Sequence, residues 1–332
     1  MAYERPWKTF GEQLTLLESR GMAVTDRDLA LSYLERIGYY RLSAYWYPFR
    51  VFSLSQDSNK GLITSKATDE FVVNTQFVNA VDLYIFDKKL RLLVLDALER
   101  IEVSLRVDMA YLLGKKDIFA HQNIHCFNKN FATKVPRNSH KNRFEVWQEK
   151  YSGLLSRSKE DFVKHYRENY GEELPIWVAV EIWDFGAMSQ LFSQMKVHDQ
   201  SAIAVKYGVS DFKVFASWLR SLNYLRNLAA HHSRLWNRNI IDQPKLTGRG
   251  EIDWCDDFIG KPDLIAKPFL LLAITRHLLN VICPNTSWDE RLKTHLNNFP
   301  SSHTNKKLSV SDIGASENWE VWWNTQETNN RQ

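Results

Sequence analysis

Four polar residues crowd one short stretch, LRNLAAHHSRLWNR, running from Leu225 to Arg238: Arg226, Asn227, His231 and His232. Histidine takes or gives a proton near neutral pH. Arginine holds a permanent charge in a fork shaped for phosphate oxygens. Together they suit RNA cleavage without a metal. The substrate carries its own nucleophile, the ribose 2′-OH, and a histidine acts as general base or acid. A guanidinium stabilises the phosphorane charge, and Asn227 can orient the base or bind phosphate. Products of that chemistry are a 2′,3′-cyclic phosphate and a 5′-OH.

Other chemistries are poorly supplied. His231 and His232 are adjacent and point apart, and no HExxH or CxxC pattern is present. His121, His125 and Cys126 lie close in sequence, but nothing completes a ligand set. The expectation is therefore no metal and no cofactor. No nucleophile elbow marks a serine or cysteine triad. A structural alternative stays open: a buried Arg226 paired with a glutamate, and His231 as a polar helix-end residue.

These residues must be held by helices. Phe212, Phe215, Leu219 and Leu222 form an apolar stripe behind capping candidates Ser210 and Asp211, and Arg226 and Ala229 take the next two slots. Asn227 and His231 are four apart and stack, whereas Arg226 and His231 are five apart, about 140° around an ideal helix. Upstream, the stretch from Gln76 to Gly114 has no Pro and no Gly before its end. One of its stripes reads Leu92, Leu95, Glu99, Glu102, Arg106, Met109, Leu113, and a neighbouring one, Leu90, Val94, Ala97, Ile101, Leu105, is apolar. Glu99, Glu102 and Arg106 are then either a self-paired ion cluster or a polar patch beneath a functional surface.

Three short helices with glycine breaks precede this stretch and form a small bundle or a helix-turn-helix; a polar loop is expected over 53–69, with no β-hairpin signal. LPIWVAVEIWDFGAMSQLFSQM reads as one helix with Gly186 as its weak point. KPFLLLAITRHLLNVICPN and SWDERLKTHLNNF read as two more, and the polar tail carries Trp319, Trp322 and Trp323. The class is all-α, a multi-helix bundle.

With 332 residues, 44% hydrophobic and 25% charged, the chain can bury a sizeable core. Its three cysteines are odd in number and far apart, which suits a reducing cytosol. No signal peptide and no bilayer-spanning run is read, so a cytoplasmic protein away from membranes is expected. The net charge of +4 is uneven: Lys115 to Arg167 holds 12 Lys+Arg against 5 Asp+Glu, +7, leaving −3 elsewhere. Phe127, Phe131, Phe144, Trp147 and Tyr151 lie among those charges. Such a mixture suits RNA, with Lys134, Arg137, Lys141 and Arg143 as phosphate contacts, or else a solvated connector.

RNLAAH, Arg226 to His231, resembles the Rx4–6H motif of HEPN-superfamily ribonucleases, including the Asn after the Arg. FGEQLTLLESRGMAVTDRDLALSYLERIGYYRLSAYWYPFR, LYIFDKKLRLLVLDALERIEVSLRVDMAYLLG, LPIWVAVEIWDFGAMSQLF and LRNLAAHHSRLWNR resemble, in order, blocks of the Abi-like (AbiD/AbiF) abortive-infection family. The resemblance spans about residues 8–238. It implies a cytoplasmic all-helical protein of phage defence with a HEPN domain, related to the HEPN domains of type VI CRISPR ribonucleases. Some members are encoded beside a small structured RNA that they bind. The implied catalytic residues are Arg226, Asn227 and His231, with His232 a second candidate because Rx5H also fits. Glu99, Glu102 and Arg106 match the family's charged helix as a supporting polar cluster.

HEPN nucleases build their site from two motifs, so a chain with one implies a homodimer. The expected organisation is an N-terminal helical subdomain over 1–55, a HEPN-like core over 70–240 with a basic insertion at 115–167, and, beyond the span of the resemblance, a helical extension over 250–332. The implied function is a metal-independent endoribonuclease of abortive infection. The alternative is a non-catalytic protein that holds a small structured non-coding RNA in a defence or toxin–antitoxin-like complex.

Overall fold

Capping residues divide the start of the chain into short helices. Thr9 and Glu12 form a capping box that opens α1 (Phe10–Ser19), and the Asp26 carboxylate accepts from the Leu29 N–H to open α2 (Arg27–Ile37). Gly38, at φ +90°, turns the chain into α3 (Tyr39–Trp46). The computed structural model describes residues 6–56, 63–300, 304 and 306–329. The expectations touching 1–5, the middle of the polar stretch at 57–62, and 301–303, 305 and 330–332 of the tail lie outside the described residues.

The expected polar loop is instead an antiparallel ribbon, β1 (Arg50–Gln56) paired with β2 (Ile63–Phe71), with Phe52 opposite Ala67 and Leu54 opposite Ser65. The pattern hid it because few of the ribbon's described side chains are buried. Leu54 is 77% exposed, so apolar alternation has no reason to appear. Arg20 and Arg50 both reach Asp69 at its end.

The long helix forms as expected: α4 runs Phe77–Gly114. Leu90, Val94, Ala97, Ile101 and Leu105 are all fully buried along it. The remaining helices are α5 (Lys129–Thr133), α6 (Arg143–Arg157), α7 (Asp161–Tyr170), α8 (Ile176–Ala179), α9 (Phe185–Phe192), α10 (Val197–Lys206), α11 (Phe212–Ala230), α12 (Asp253–Asp256), α13 (Pro262–Ile265), α14 (Pro268–Ile282), α15 (Trp288–Asn297) and α16 (Trp319–Asn329). The all-α class therefore holds, with the ribbon as an addition. No helix among the described residues is long and apolar enough to cross a membrane.

The helix read through Gly186 is broken. It divides into α8, a 3₁₀ turn (Val180–Ile182) and α9. The break falls at Trp183 and Asp184, both extended, because the Asp184 carboxylate accepts from the Ala187 N–H and caps a new helix.

The chain forms two compact units. The first is made of 1–92, 234–236 and 290–313. Its core includes Leu14, Leu34, Trp46, Phe49 and Leu83. Asp87 lies inside it, fully buried. Its carboxylate accepts from the Tyr45 hydroxyl (2.7 Å), from the Leu235 and Trp236 N–H groups (3.1 and 2.7 Å), and from the Arg91 guanidinium.

The second unit is made of 93–233, 237–289 and 314–332. Here α11 packs against α9, α10 and α14, with Phe215, Leu219 and Leu222 fully buried. Four aromatics of the basic segment also belong to this core. Phe131 and Trp147 are fully buried, and Phe127 and Tyr151 nearly so. The expectation that these rings offer stacking faces for bases is corrected for those four, which face protein; Phe144 is half-buried. The tail tryptophans are core as well, Trp319 and Trp323 packing on Phe269.

Candidate functional site

The site is built on the last turns of α11. Its apolar stripe runs through Leu222 and meets Arg226, which is half-buried rather than enclosed. The helix stops at its cap, His231, because the chain turns left-handed at His232, φ +56°. The His232 N–H donates to Ala229 O (3.1 Å) and the Ser233 N–H to Leu228 O (2.9 Å). This is a Schellman closure with histidine where glycine is usual. Both His231 and His232 are thereby exposed at the helix end.

A cavity of about 330 Å³ opens beside Arg226, lined also by Glu99, Glu102, Val103 and Arg106 of α4. Arg106 is committed. It donates to Glu102 Oε1 (2.5 Å) and to the Trp183 carbonyl (2.5 Å), and lies 3.9 Å from Glu181. That carbonyl is free because the chain breaks there. Burial pushes the Glu102 carboxyl above its ordinary value, with Arg106 and Arg226 pulling the other way.

Asp184 lies on the same side. Burial opposes its charge, but Lys150 Nζ at 2.8 Å, the Ala187 N–H and the Arg226 charge outweigh burial and hold its carboxyl below the usual range. Gly186 is needed here: an added Cβ would stand 3.2 Å from both Asp184 Oδ1 and Lys150 Nζ and 3.3 Å from Asn223 Oδ1.

Arg226 differs from its neighbours. Among the described residues its guanidinium makes no hydrogen bond and no ion pair within 4 Å, although Glu102 and Asp184 feel its charge. The side chains of Asn227 and His231 are likewise uncommitted among the described residues. Such an arrangement offers a fixed cation over a cavity and, at the helix end, an amide and an imidazole open to a ligand.

The structure thus brings Glu102, Arg106 and Arg226 together, with Glu99 exposed at the cavity rim. It does not bring Arg226 to the same helix face as its own His231. Lys134, Arg137 and Lys141 between α5 and α6, and Arg143 at the start of α6, are all exposed, and the Arg143 N–H donates to Lys134 O (2.9 Å). Lys141 pairs with Glu149. His121 is fully buried against Tyr151, and burial lowers its pKa to about 4, so it is a neutral core residue. Among the described residues no three His, Cys, Asp or Glu side chains are placed to share a metal.

Sequence reasoning missed Lys150, Asp184 and Asn223 at the site. Asp184 was findable as a helix cap before FGAMSQLF. Lys150 and Asn223 carry no local signal, since only tertiary packing brings them to Gly186.

The fold and the site define a class: an all-helical protein with an arginine, an asparagine and a histidine displayed where a core helix ends. The Abi-like protein family model matches residues 32–237, more than half the chain, and the chain belongs to that family. The family is associated with abortive infection, a form of phage defence. No curated protein and no solved structure matches the chain. The matched span contains Tyr45, Asp87, Glu102, Arg226 and His231 and ends before α12.

Proposed function

We propose that the protein is a metal-independent endoribonuclease of the HEPN type, cytoplasmic and acting in abortive infection. The observation that carries this is the uncommitted Arg226 guanidinium, half-buried over a cavity where the neighbouring Arg106 is paired. Leaving a guanidinium without a partner in such a place costs stability unless a ligand supplies the anion. His231 acts as general base or acid, Arg226 stabilises the phosphorane, Asn227 orients the reacting groups, and His232 is a second candidate for the proton transfer.

The proposal includes a homodimer. Arg226 and His231 of one chain face different sides of α11, so a site using both draws them from two copies. An exposed apolar face near Arg226 supports this part of the reading. Val103, Val107 and Tyr111 line one face of α4, 49%, 58% and 64% exposed, with Trp177 beside them at 49%. Large apolar groups exposed in a row mark association surfaces. Lys134, Arg137, Lys141 and Arg143 are proposed as additional phosphate contacts.

The test is RNA cleavage in EDTA with purified protein. Cleavage leaving 2′,3′-cyclic phosphate ends, lost in Arg226→Ala and His231→Ala with folding retained, is expected. Strict dependence on Mg²⁺, or a fully active monomer by light scattering, overturns the mechanism. A second reading, a non-catalytic holder of a small structured RNA, is favoured by the separation of Arg226 from its own His231. Stoichiometric RNA on the purified protein, with no cleavage, would select it.

A further inference from the structure

A second cavity, of about 320 Å³, lies on the opposite end of α11 from His231. Its charged lining is entirely cationic: Lys213 and Arg220 of α11, and Lys245. No carboxylate lines it, and Asn130, Gln200 and the half-buried Phe212 complete its walls. Among the described residues Lys213 Nζ, the Arg220 guanidinium and Lys245 Nζ make no ion pair and no hydrogen bond. This contrasts with Lys116, Lys141, Lys150 and Lys206, each paired with a carboxylate.

The arrangement is built. The backbone of Lys245 is fastened across α11 by two bonds, the Trp218 indole N–H to Lys245 O (2.8 Å) and the Lys245 N–H to Ser217 Oγ (2.8 Å). Three like charges, each on an exposed side chain, thus share the lining of one cavity and give it a positive potential.

The helix geometry gives the cavity a direction. At 100° per residue, Lys213, Arg220, Asn227 and His231 fall within about 40° of one line along α11. Arg220 and His231 are separated by about 16 Å along the axis at 1.5 Å per residue. Arg238 sits along this face too, its guanidinium Nε donating to the Tyr224 hydroxyl (3.2 Å). Asn130 belongs to α5, and the exposed cations 134–143 follow directly from it.

We propose that this cavity binds the phosphodiester backbone of a single-stranded RNA and that the α11 face leads the strand from there to Asn227 and His231. The RNA partner rests on the proposed function; the anion site rests on the cavity alone. An acidic protein segment is the competing occupant. It is disfavoured because one face of α11 runs from this cationic cavity to Asn227 and His231, a path that suits a continuous strand.

The experiment is fluorescence anisotropy with a labelled 20-nucleotide single strand of 2′-O-methyl RNA, which 2′-OH attack cannot cleave, at several salt concentrations. Lys213→Ala/Arg220→Ala/Lys245→Ala should bind at least tenfold more weakly at low salt. Its slope of log K against log salt should fall by about 2, at about 0.7 per phosphate contact. The charge-preserving Lys213→Arg/Arg220→Lys/Lys245→Arg should bind within about twofold of the parent. If the triple alanine variant does not fold, Arg220→Ala alone should lower the slope by about 0.7.

Unchanged affinity and slope overturn the proposal, as does polyglutamate competing as well as unlabelled RNA, or a parent protein that binds no RNA. Binding that depends on the three cations, in a protein that cleaves nothing, sustains the cavity and removes the nuclease. Cleavage with cation-independent binding does the reverse.

Discussion

Asp87 and Arg226 are both charges set against apolar helices, and the molecule treats them oppositely. Asp87 is fully buried and accepts from four donors on three separate stretches of chain. Arg226 is half-buried and donates to nothing among the described residues. A charge whose partners are all supplied by the chain is structural, because removing it strands those partners. A charge whose partners are absent keeps its capacity for something that arrives from outside.

The largest expected effect breaks the first member of this pair. Asp87→Ala leaves two backbone N–H groups without an acceptor and takes the carboxylate away from the buried Arg91, which keeps the Tyr45 hydroxyl. It should lower stability by about 3–5 kcal/mol in urea unfolding. A loss below about 1 kcal/mol would mean that the network is ornamental.

Arg226→Ala should do the converse. Its stability should change by only about 0.5 kcal/mol. Cleavage should fall by about 10²–10³-fold, the usual cost of removing one fixed group that stabilises transition-state charge. Equal losses of stability in the two variants would erase the distinction between them.

Acid sharpens the comparison from another side. His121 is neutral and buried, with its pKa lowered to about 4. The unfolded chain takes up a proton near pH 6.5, the folded one only near 4. Stability from this group is therefore complete above about pH 6.5 and is lost as pH falls towards 4, by an amount on the order of 3 kcal/mol. His121→Phe should shrink that acid limb in thermal melts across pH. The limb should not vanish, since burial also holds His277 and His295 below their ordinary values. An identical profile in parent and variant would place the acid sensitivity elsewhere.

Much of this was legible in the chain. The α4 stripe Leu90 to Leu105 and the apolar run of α11 follow from 3.6-residue periodicity. The motif that drew attention to Arg226 and His231 is local and needs no tertiary information. What periodicity could not reach was of two kinds. The ribbon at Arg50–Phe71 buries too little to impose alternation on its sequence. The Trp183–Asp184 break was hidden inside an apolar run, and the carbonyl it frees for Arg106 is a long-range fact. For the same reason the aromatics among the basic residues looked available: the order of residues records that Phe131 and Trp147 sit between cations, but not that they point the other way.

The stop at the end of α11 sets stability against use. A non-glycine residue in the left-handed region carries roughly 1–2 kcal/mol of conformational cost, and His232 holds φ +56°. His232→Gly would relieve it, and a gain of about 1 kcal/mol in unfolding free energy is expected. A campaign that selected this protein for heat resistance alone would be drawn to that exchange early. It would yield a hardier protein with one imidazole fewer at its helix end, so the position registers how far robustness can be raised before chemistry is given away.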